Sequence, residues 1–239
     1  MTVTYYDKVV RGTEHEDGLV IFQFLKSMVG QTFSFLNYYK EIPVSYNARL
    51  ISVDNDMAEF EVHEYQAKVI SLEKKTLIRV HQKSSVPDDL VGEVFYVNTS
   101  RKRVILTRFH YAKIRSDLRR YVRVCLDGRR ADVDMYLADN IIPATVRDVS
   151  LGGIAVLVSN TAGLELGLDV NLILKLESPD DASLREIGVA CTVTKILDEA
   201  PPFTCILEFH PDRHSQQALA YYINQRQVEI IRELKELAA

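Results

Sequence analysis

Three short runs, Val44-Ser45-Tyr46-Asn47-Ala48, Ala58-Glu59-Phe60-Glu61-Val62 and Val104-Ile105-Leu106-Thr107, decide the fold. In the second, apolar and acidic side chains change places at every step. Successive side chains of an extended chain point to opposite faces, so this alternation predicts a strand with one face buried and one wet. The turn-forming clusters Asp54-Asn55-Asp56, Val86-Pro87-Asp88-Asp89 and Asn98-Thr99-Ser100 separate such runs. Short strands following one another between residues 31 and 110 predict a small antiparallel barrel or sandwich. No helices alternate with these strands, which argues against a nucleotide-binding α/β sheet.

Working outward, Thr13-Glu14-His15-Glu16 has the form of a capping box, and Leu19, Phe22, Leu25 and Met28 recur at helical spacing up to Gly30. One short helix is expected there. Residues 111–118 are more polar and join two β-rich blocks, so the domains are placed at 1–111 and 112–239. Strands resume over 121–126, 141–146, 154–158, 170–176, 186–197 and 204–209, with loops over 160–167 and 178–182. A final helix runs from an N-cap at Asp212 to Leu237. Leu219, Tyr222, Ile223, Arg226, Ile230, Leu234 and Leu237 form one stripe on it, with Arg226 as its polar interruption. Such a stripe covers a barrel opening, packs on a partner such as a second copy, or both. The expected class is mainly β: two small antiparallel β-barrels with a short N-terminal and a long C-terminal helix.

The 239 residues are 47% apolar and 26% charged, with no Trp and 3 Cys. That is too apolar for a disordered chain and too poor in Gly and Pro for a fibrous one. No apolar run approaches the ~20 residues that span a bilayer, and residues 1–11 lack a basic segment followed by an apolar core, so no secretory signal is expected. Cys125, Cys191 and Cys205 are odd in number and lack CxxC spacing, which points away from disulfides and zinc. A soluble, cytoplasmic protein is expected.

The net charge of −4 is unevenly spread: residues 101–130 carry 11 basic and 2 acidic side chains. This excess reads either as a solvated face or as an anion site, since clustered Arg and Lys attract phosphate. The acidic flanks repel a long polyanion, so a compact anion fits better than nucleic acid.

No HExxH, GxGxxG, P-loop or GxSxG elbow occurs, and the six His are dispersed. His210 and His214 have i,i+4 spacing but flank Pro211 without an acidic third ligand, so no metal site is expected. No enzyme activity and no cofactor are expected.

Two segments remain. Leu118-Arg119-Arg120-Tyr121-Val122-Arg123-Val124 places Arg119 and Arg123 around three residues at the mouth of a strand, and Arg147-Asp148-Val149-Ser150-Leu151-Gly152-Gly153 lies between two predicted strands. Together they resemble the signature of PilZ domains, RxxxR followed by (D/N)xSxxG, over roughly residues 112–239. Arg115 and Arg119 make a second RxxxR frame; Arg119/Arg123 is preferred because Tyr-Val-Arg-Val resembles the family's strand start. The N-terminal block resembles, by architecture and position, the split barrel that precedes PilZ in YcgR-type flagellar-brake proteins.

The resemblance implies a six-stranded barrel closed by a helix and a non-catalytic receptor for the second messenger cyclic di-GMP. The site residues it implies are Leu118, Arg119, Arg120, Arg123, Asp148, Ser150, Gly152 and Gly153. The chemistry fits the ligand. Guanidinium forks bind phosphate oxygens and guanine O6/N7 bidentately. Asp148 can accept from guanine N1–H and its amino group. Ser150 serves a phosphate or the turn itself, and Gly153 allows backbone approach or positive φ. Many family members carry Arg at the position of Leu118, where it stacks on an extra guanine; Leu118 implies one ligand per site. The bland alternatives are arginines that solvate a strand edge and an Asx-type turn at Asp148 and Ser150. The competing functions are a ligand-free interaction module, a nucleic-acid binder using residues 101–130, and a flavin-dependent enzyme. The expected mechanism is reorientation of the two domains on ligand binding, which regulates an effector in motility, biofilm or polysaccharide output.

Overall fold

The alternation read at residues 44–48 is seen in space and extends beyond them: Ile42, Val44, Ala48 and Leu50 are buried, while Pro43, Ser45, Asn47 and Arg49 are exposed. The computed structural model describes residues 5–80, 86–137, 140–178 and 183–238. Its elements are β1 (Tyr6–Val9), α1 (Glu14–Ser27), β2 (Thr32–Tyr39), β3 (Ile42–Asp54), β4 (Met57–Glu61), α2 (Glu64–Glu73), β5 (Lys75–Arg79), β6 (Asp89–Asn98) and β7 (Arg103–Ile114). A 3-10 turn at Arg115–Leu118 follows, then β8 (Arg123–Cys125), β9 (Ala131–Leu137), β10 (Asn140–Ser150), β11 (Gly153–Val158), β12 (Asp169–Glu177), β13 (Leu184–Leu197), β14 (Phe203–Phe209) and α3 (Arg213–Ala238). The chain falls into two units. The first takes residues up to Tyr39, Pro43–Arg119 and those from Glu233 on; the second takes Lys40–Ile42 and Arg120–Arg232.

In the first unit the strands run β7-β4-β3-β2-β5-β6, and β6 pairs back with β7, closing an antiparallel barrel of six strands; β1 adds to the end of β7, Tyr6 opposite Ile114. Closure leaves the six strands without a free edge. Phe33, Phe35, Leu50, Phe60, Ile78 and Leu106 are central to one buried cluster. α1 starts with the expected capping box: the Thr13 hydroxyl accepts from Glu16 N, and the Glu16 carboxylate accepts from Thr13 N. Its Ile21, Phe24 and Leu25 enter the same cluster.

α2 corrects the expectation of uninterrupted strands between residues 31 and 110. His63 caps it, Nδ1 accepting from Tyr65 N at 3.3 Å, and Lys74 ends it in the left-handed region at φ 59°. Its buried face is Gln66, Ala67, Val69 and Ile70. A buried Gln disguised that face as polar; its amide donates to Asn37 Oδ1, which also accepts from Thr76.

The second unit repeats the solution: β11-β14-β13-β12-β9-β10 closes through β10–β11, and β8 is appended to β10. The interior is built by alternation, with Val170, Leu172, Leu174 and Leu176 of β12 buried beside Ile187, Val189, Cys191 and Val193 of β13. Each large aliphatic buried this way contributes about 1.5–3 kcal/mol. β9 was not expected, because Asp132 and Asp134 break up an otherwise apolar run; they alternate outward while Val133 and Met135 are buried. β8 is shorter than the strand expected over 121–126.

α3 is capped as expected, Ser215 N donating to Asp212 Oδ1 at 2.7 Å. Leu219, Tyr222, Ile223, Arg226, Ile230 and Leu234 of the stripe are buried, whereas Leu237 is exposed. The Arg226 side chain, 2% exposed, donates to Cys125 O at 3.1 Å, Asp127 O at 3.3 Å and Glu229 Oε2 at 2.6 Å. Glu229 also pairs with Arg129, which reaches Glu177 at 2.9 Å. This network fastens the helix to the loop after β8. The three cysteines are free. Burial pushes the Cys191 thiol up to about 12 and that of Cys125 to about 11.

Candidate ligand-binding site

The second half of the sequence motif forms a strand end and a hairpin rather than a loop between strands. β10 continues through Asp148 to Ser150, and the chain turns over Leu151-Gly152 so that Ser150 faces Gly153 on β11. On the other side of β10, Ser150 faces Arg123 and Asp148 faces Cys125 of β8. Residues two apart on a strand share a face, so Arg123, Cys125, Asp148 and Ser150 line one face of the β8–β10 pair.

The Asp148 side chain is 5% exposed and lies between two guanidiniums. Arg147 Nε donates to its Oδ2 at 3.1 Å, and Arg123 Nη1 stands 3.7 Å from its Oδ1, an ion pair without a hydrogen bond. Neighbours along a strand normally point to opposite faces. A register shift between Val146 and Asp148 makes a bulge that brings Arg147 to its neighbour's side. Arg147 Nη1 also reaches Thr204 Oγ1 on β14 at 3.5 Å. Burial pushes the Asp148 carboxyl above its ordinary value, and Arg123 and Arg147 only partly offset this. The motif reserves no place for Arg147, so the sequence alone does not single it out as a site residue.

Ser150 builds the turn: its hydroxyl donates to Gly153 O at 3.2 Å and accepts from Gly152 N at 3.3 Å. The glycines serve the barrel. A Cβ on Gly153 would lie 2.3 Å from Leu207 O of β14, so this residue allows two strands, not a ligand, to approach, and its φ is not positive. A Cβ on Gly152 would meet the Tyr121 ring at 2.9 Å. That ring is itself covered by Arg120, whose Cζ lies 5.4 Å from its centroid. Tyr121 is thus a further residue of this surface, and only its place inside RxxxR signalled it.

Arg119 belongs to the first unit, where its Cζ lies 5.4 Å over the Tyr5 ring and Tyr5 stacks on Tyr38 at 3.9 Å. Its N–H closes the 3-10 turn on Ser116 O. Leu118 ends that turn, and its side chain lies outside the described residues. Arg115, of the second RxxxR frame, forks onto the Asp7 carboxylate.

The basic tract is not a continuous stripe. Lys102 pairs with Glu64, Arg103 with Glu61, Arg108 with Glu93, Arg115 with Asp7, Arg129 with Glu177 and Glu229, and Arg130 with Asp132. Acidic residues, all but Asp132 remote in sequence, thus neutralise much of its positive charge. Among the described residues, no group of three or more His, Cys, Asp or Glu side chains is arranged to hold a metal, and no helix is long and apolar enough to cross a membrane.

Residues 117–225 match the family model of the PilZ domain. No curated protein matches the chain. Among solved structures the chain is similar to the inhibitor of motility MotI/DgrA of Bacillus subtilis, at 18% identity and TM-score 0.40, covering 84% of this chain and 98% of that one. It is similar to YcgR of Escherichia coli in complex with c-di-GMP, at 11% identity and TM-score 0.43, covering 95% and 100%. It is also similar to a K. pneumonia MrkH–c-di-GMP complex, at 14% identity and TM-score 0.44, covering 96% and 99%.

Proposed function

We propose that the protein, whose residues 117–225 match the family model of the PilZ domain, is a non-catalytic receptor for cyclic di-GMP. The observation that carries the reading is the face shared by β8 and β10, where two guanidiniums surround a single buried carboxylate. Arginines grip the phosphates, and the carboxylate reads the amide edge of a guanine, a pattern of donors that adenine does not offer. Arg119, Arg120, Arg123 and Asp148 carry the contacts, while Ser150, Gly152 and Gly153 hold the hairpin in shape. Leu118 limits the site to one ligand.

Micromolar affinity requires about 8 kcal/mol. Charge-assisted hydrogen bonds contribute roughly 1.5–3 kcal/mol each, so four or five suffice after the cost of ordering the segment around Arg119. Ligand binding orders that segment against the barrel and reorients the two domains, which changes the surface offered to an effector protein of motility, biofilm or polysaccharide output. The protein works in the cytoplasm, in keeping with its three free cysteines.

Titration calorimetry with cyclic di-GMP, and with cyclic di-AMP as control, tests the reading on the full chain. Wild type should bind the guanine messenger and not the adenine one. Arg119→Ala, Arg123→Ala and Asp148→Ala should each weaken binding at least tenfold. Wild-type affinity in all three variants would refute the site.

A further inference from the structure

We propose that Arg147, which lies outside both halves of the motif, is the positioning residue of this site: it keeps hold of one oxygen of Asp148 while the other is handed to the ligand. The inference rests on the receptor reading and assigns a residue that the motif does not contain.

The asymmetry of the two contacts is the starting point. Oδ2 is hydrogen-bonded by Arg147 Nε at 3.1 Å, whereas Oδ1 is only faced by Arg123 Nη1 at 3.7 Å. An incoming guanine N–H donor can displace the looser partner from Oδ1, because a distance of 3.7 Å forgoes the hydrogen bond. Arg123, on the short strand β8, is then released toward a phosphate. Arg147 has no such freedom: the bulge fixes its backbone, and its other end reaches Thr204 Oγ1 on β14, a residue that is itself buried.

Charge is the second argument. Burial opposes ionisation of Asp148, and Glu41 opposes it further; Arg123 and Arg147 favour it. Cys125, across the β8–β10 pair, is a further titratable neighbour, and its own thiol is pushed up to about 11 and stays neutral. When Arg123 turns to the ligand, Arg147 is the cation left beside a buried carboxylate that must be an acceptor. A guanidinium held through Nε suits this task better than an ammonium, because its geometry is planar and its charge is permanent.

Two measurements on the full chain decide the matter. Carbon-13 NMR titration of the Asp148 carboxyl, without ligand, should show it titrating about one pH unit higher in Arg147→Met than in wild type. Arg147→Lys should restore part of the difference. Cyclic di-GMP affinity at neutral pH should fall about tenfold in Arg147→Met, and the acid limb of its pH profile should move up with the carboxyl. If Arg147→Met fails to fold, Thr204→Val, which loosens the far end of Arg147, should shift both readouts in the same direction by less.

An unmoved carboxyl titration overturns the positioning role, whether or not affinity falls. A moved titration with wild-type affinity and an unmoved pH profile overturns its relevance to the ligand. If wild type itself fails to bind, the receptor reading falls, while the NMR comparison still reports whether Arg147 controls the carboxylate.

Discussion

Replacing Gly153 by Ala separates a glycine kept for a ligand from one kept for the barrel. The added methyl would start 2.3 Å from Leu207 O and 3.3 Å from its carbonyl carbon, both backbone atoms of the neighbouring strand. Ordinary carbon–oxygen contact needs about 1 Å more, since close-packed interiors yield little. No rotamer relieves the clash, so β11 must part from β14 around the Gly153–Glu208 pair. Losing about two backbone hydrogen bonds at roughly 1–1.5 kcal/mol each, plus local unpacking, gives a loss of about 3 kcal/mol. Unfolding by urea and by heat, both without ligand, should show it, with Tm lower by roughly 10 °C. Gly152→Ala is the internal control. Its methyl meets the Tyr121 side chain, which can move, so the cost should stay near 1 kcal/mol. A Gly153→Ala protein with wild-type unfolding that has lost only ligand affinity would refute the reasoning.

Arg226→Met keeps most of the side-chain volume but leaves the carbonyls of Cys125 and Asp127 without their donor and Glu229 with one partner fewer. The expected loss is about 3 kcal/mol or more, read as a lower urea midpoint; an unchanged midpoint would show that the buried network holds nothing. In the first barrel, burial depresses the pKa of half-buried His110. The unfolded chain therefore takes up the proton first, and stability should fall as pH drops through about 6.5. His110→Gln should flatten that slope in urea midpoints taken between pH 7.5 and 5.5, and an identical slope would exclude this histidine as its source. Thr13→Ala removes the reciprocal cap of α1 and should cost about 1 kcal/mol; Thr13→Ser should recover it, and no difference between the two would count against the cap.

The alternating runs were legible because burial on one face is a local property of a strand. Val44, Ala48, Phe60 and Leu106 are buried as their spacing predicts. The helix at 64–73 was not legible, since its packing face includes Gln66, whose amide nitrogen donates to Asn37, a residue remote in sequence. β9 was hidden for the converse reason: acidic residues mark its outer face, and only the pairing with β12 and β10 reveals the inner one. At the site, the residue types around Asp148 were legible and their division of labour was not. Nothing in Arg147-Asp148 indicates that a bulge folds the first side chain back onto the second. Nor does a Gly-Gly pair say whether the space it leaves is filled by a ligand, a ring or a carbonyl.

β8 is three residues long, ends its sheet and is joined to β10 by three residue pairs, whereas β10 is part of the closed ring. The two sides of the site therefore differ in compliance. The carboxylate and Arg147 stand on a wall braced by neighbours all round, while Arg123 sits at the outer end of a slat pinned at its other end, where Cys125 N donates to Lys40 O and Cys125 O accepts from Arg226. Such a clamp, with one fixed jaw and one hinged jaw, predicts that the backbone amide of Arg123 exchanges with solvent earlier than those of 148–150, and that a captured ligand slows it most.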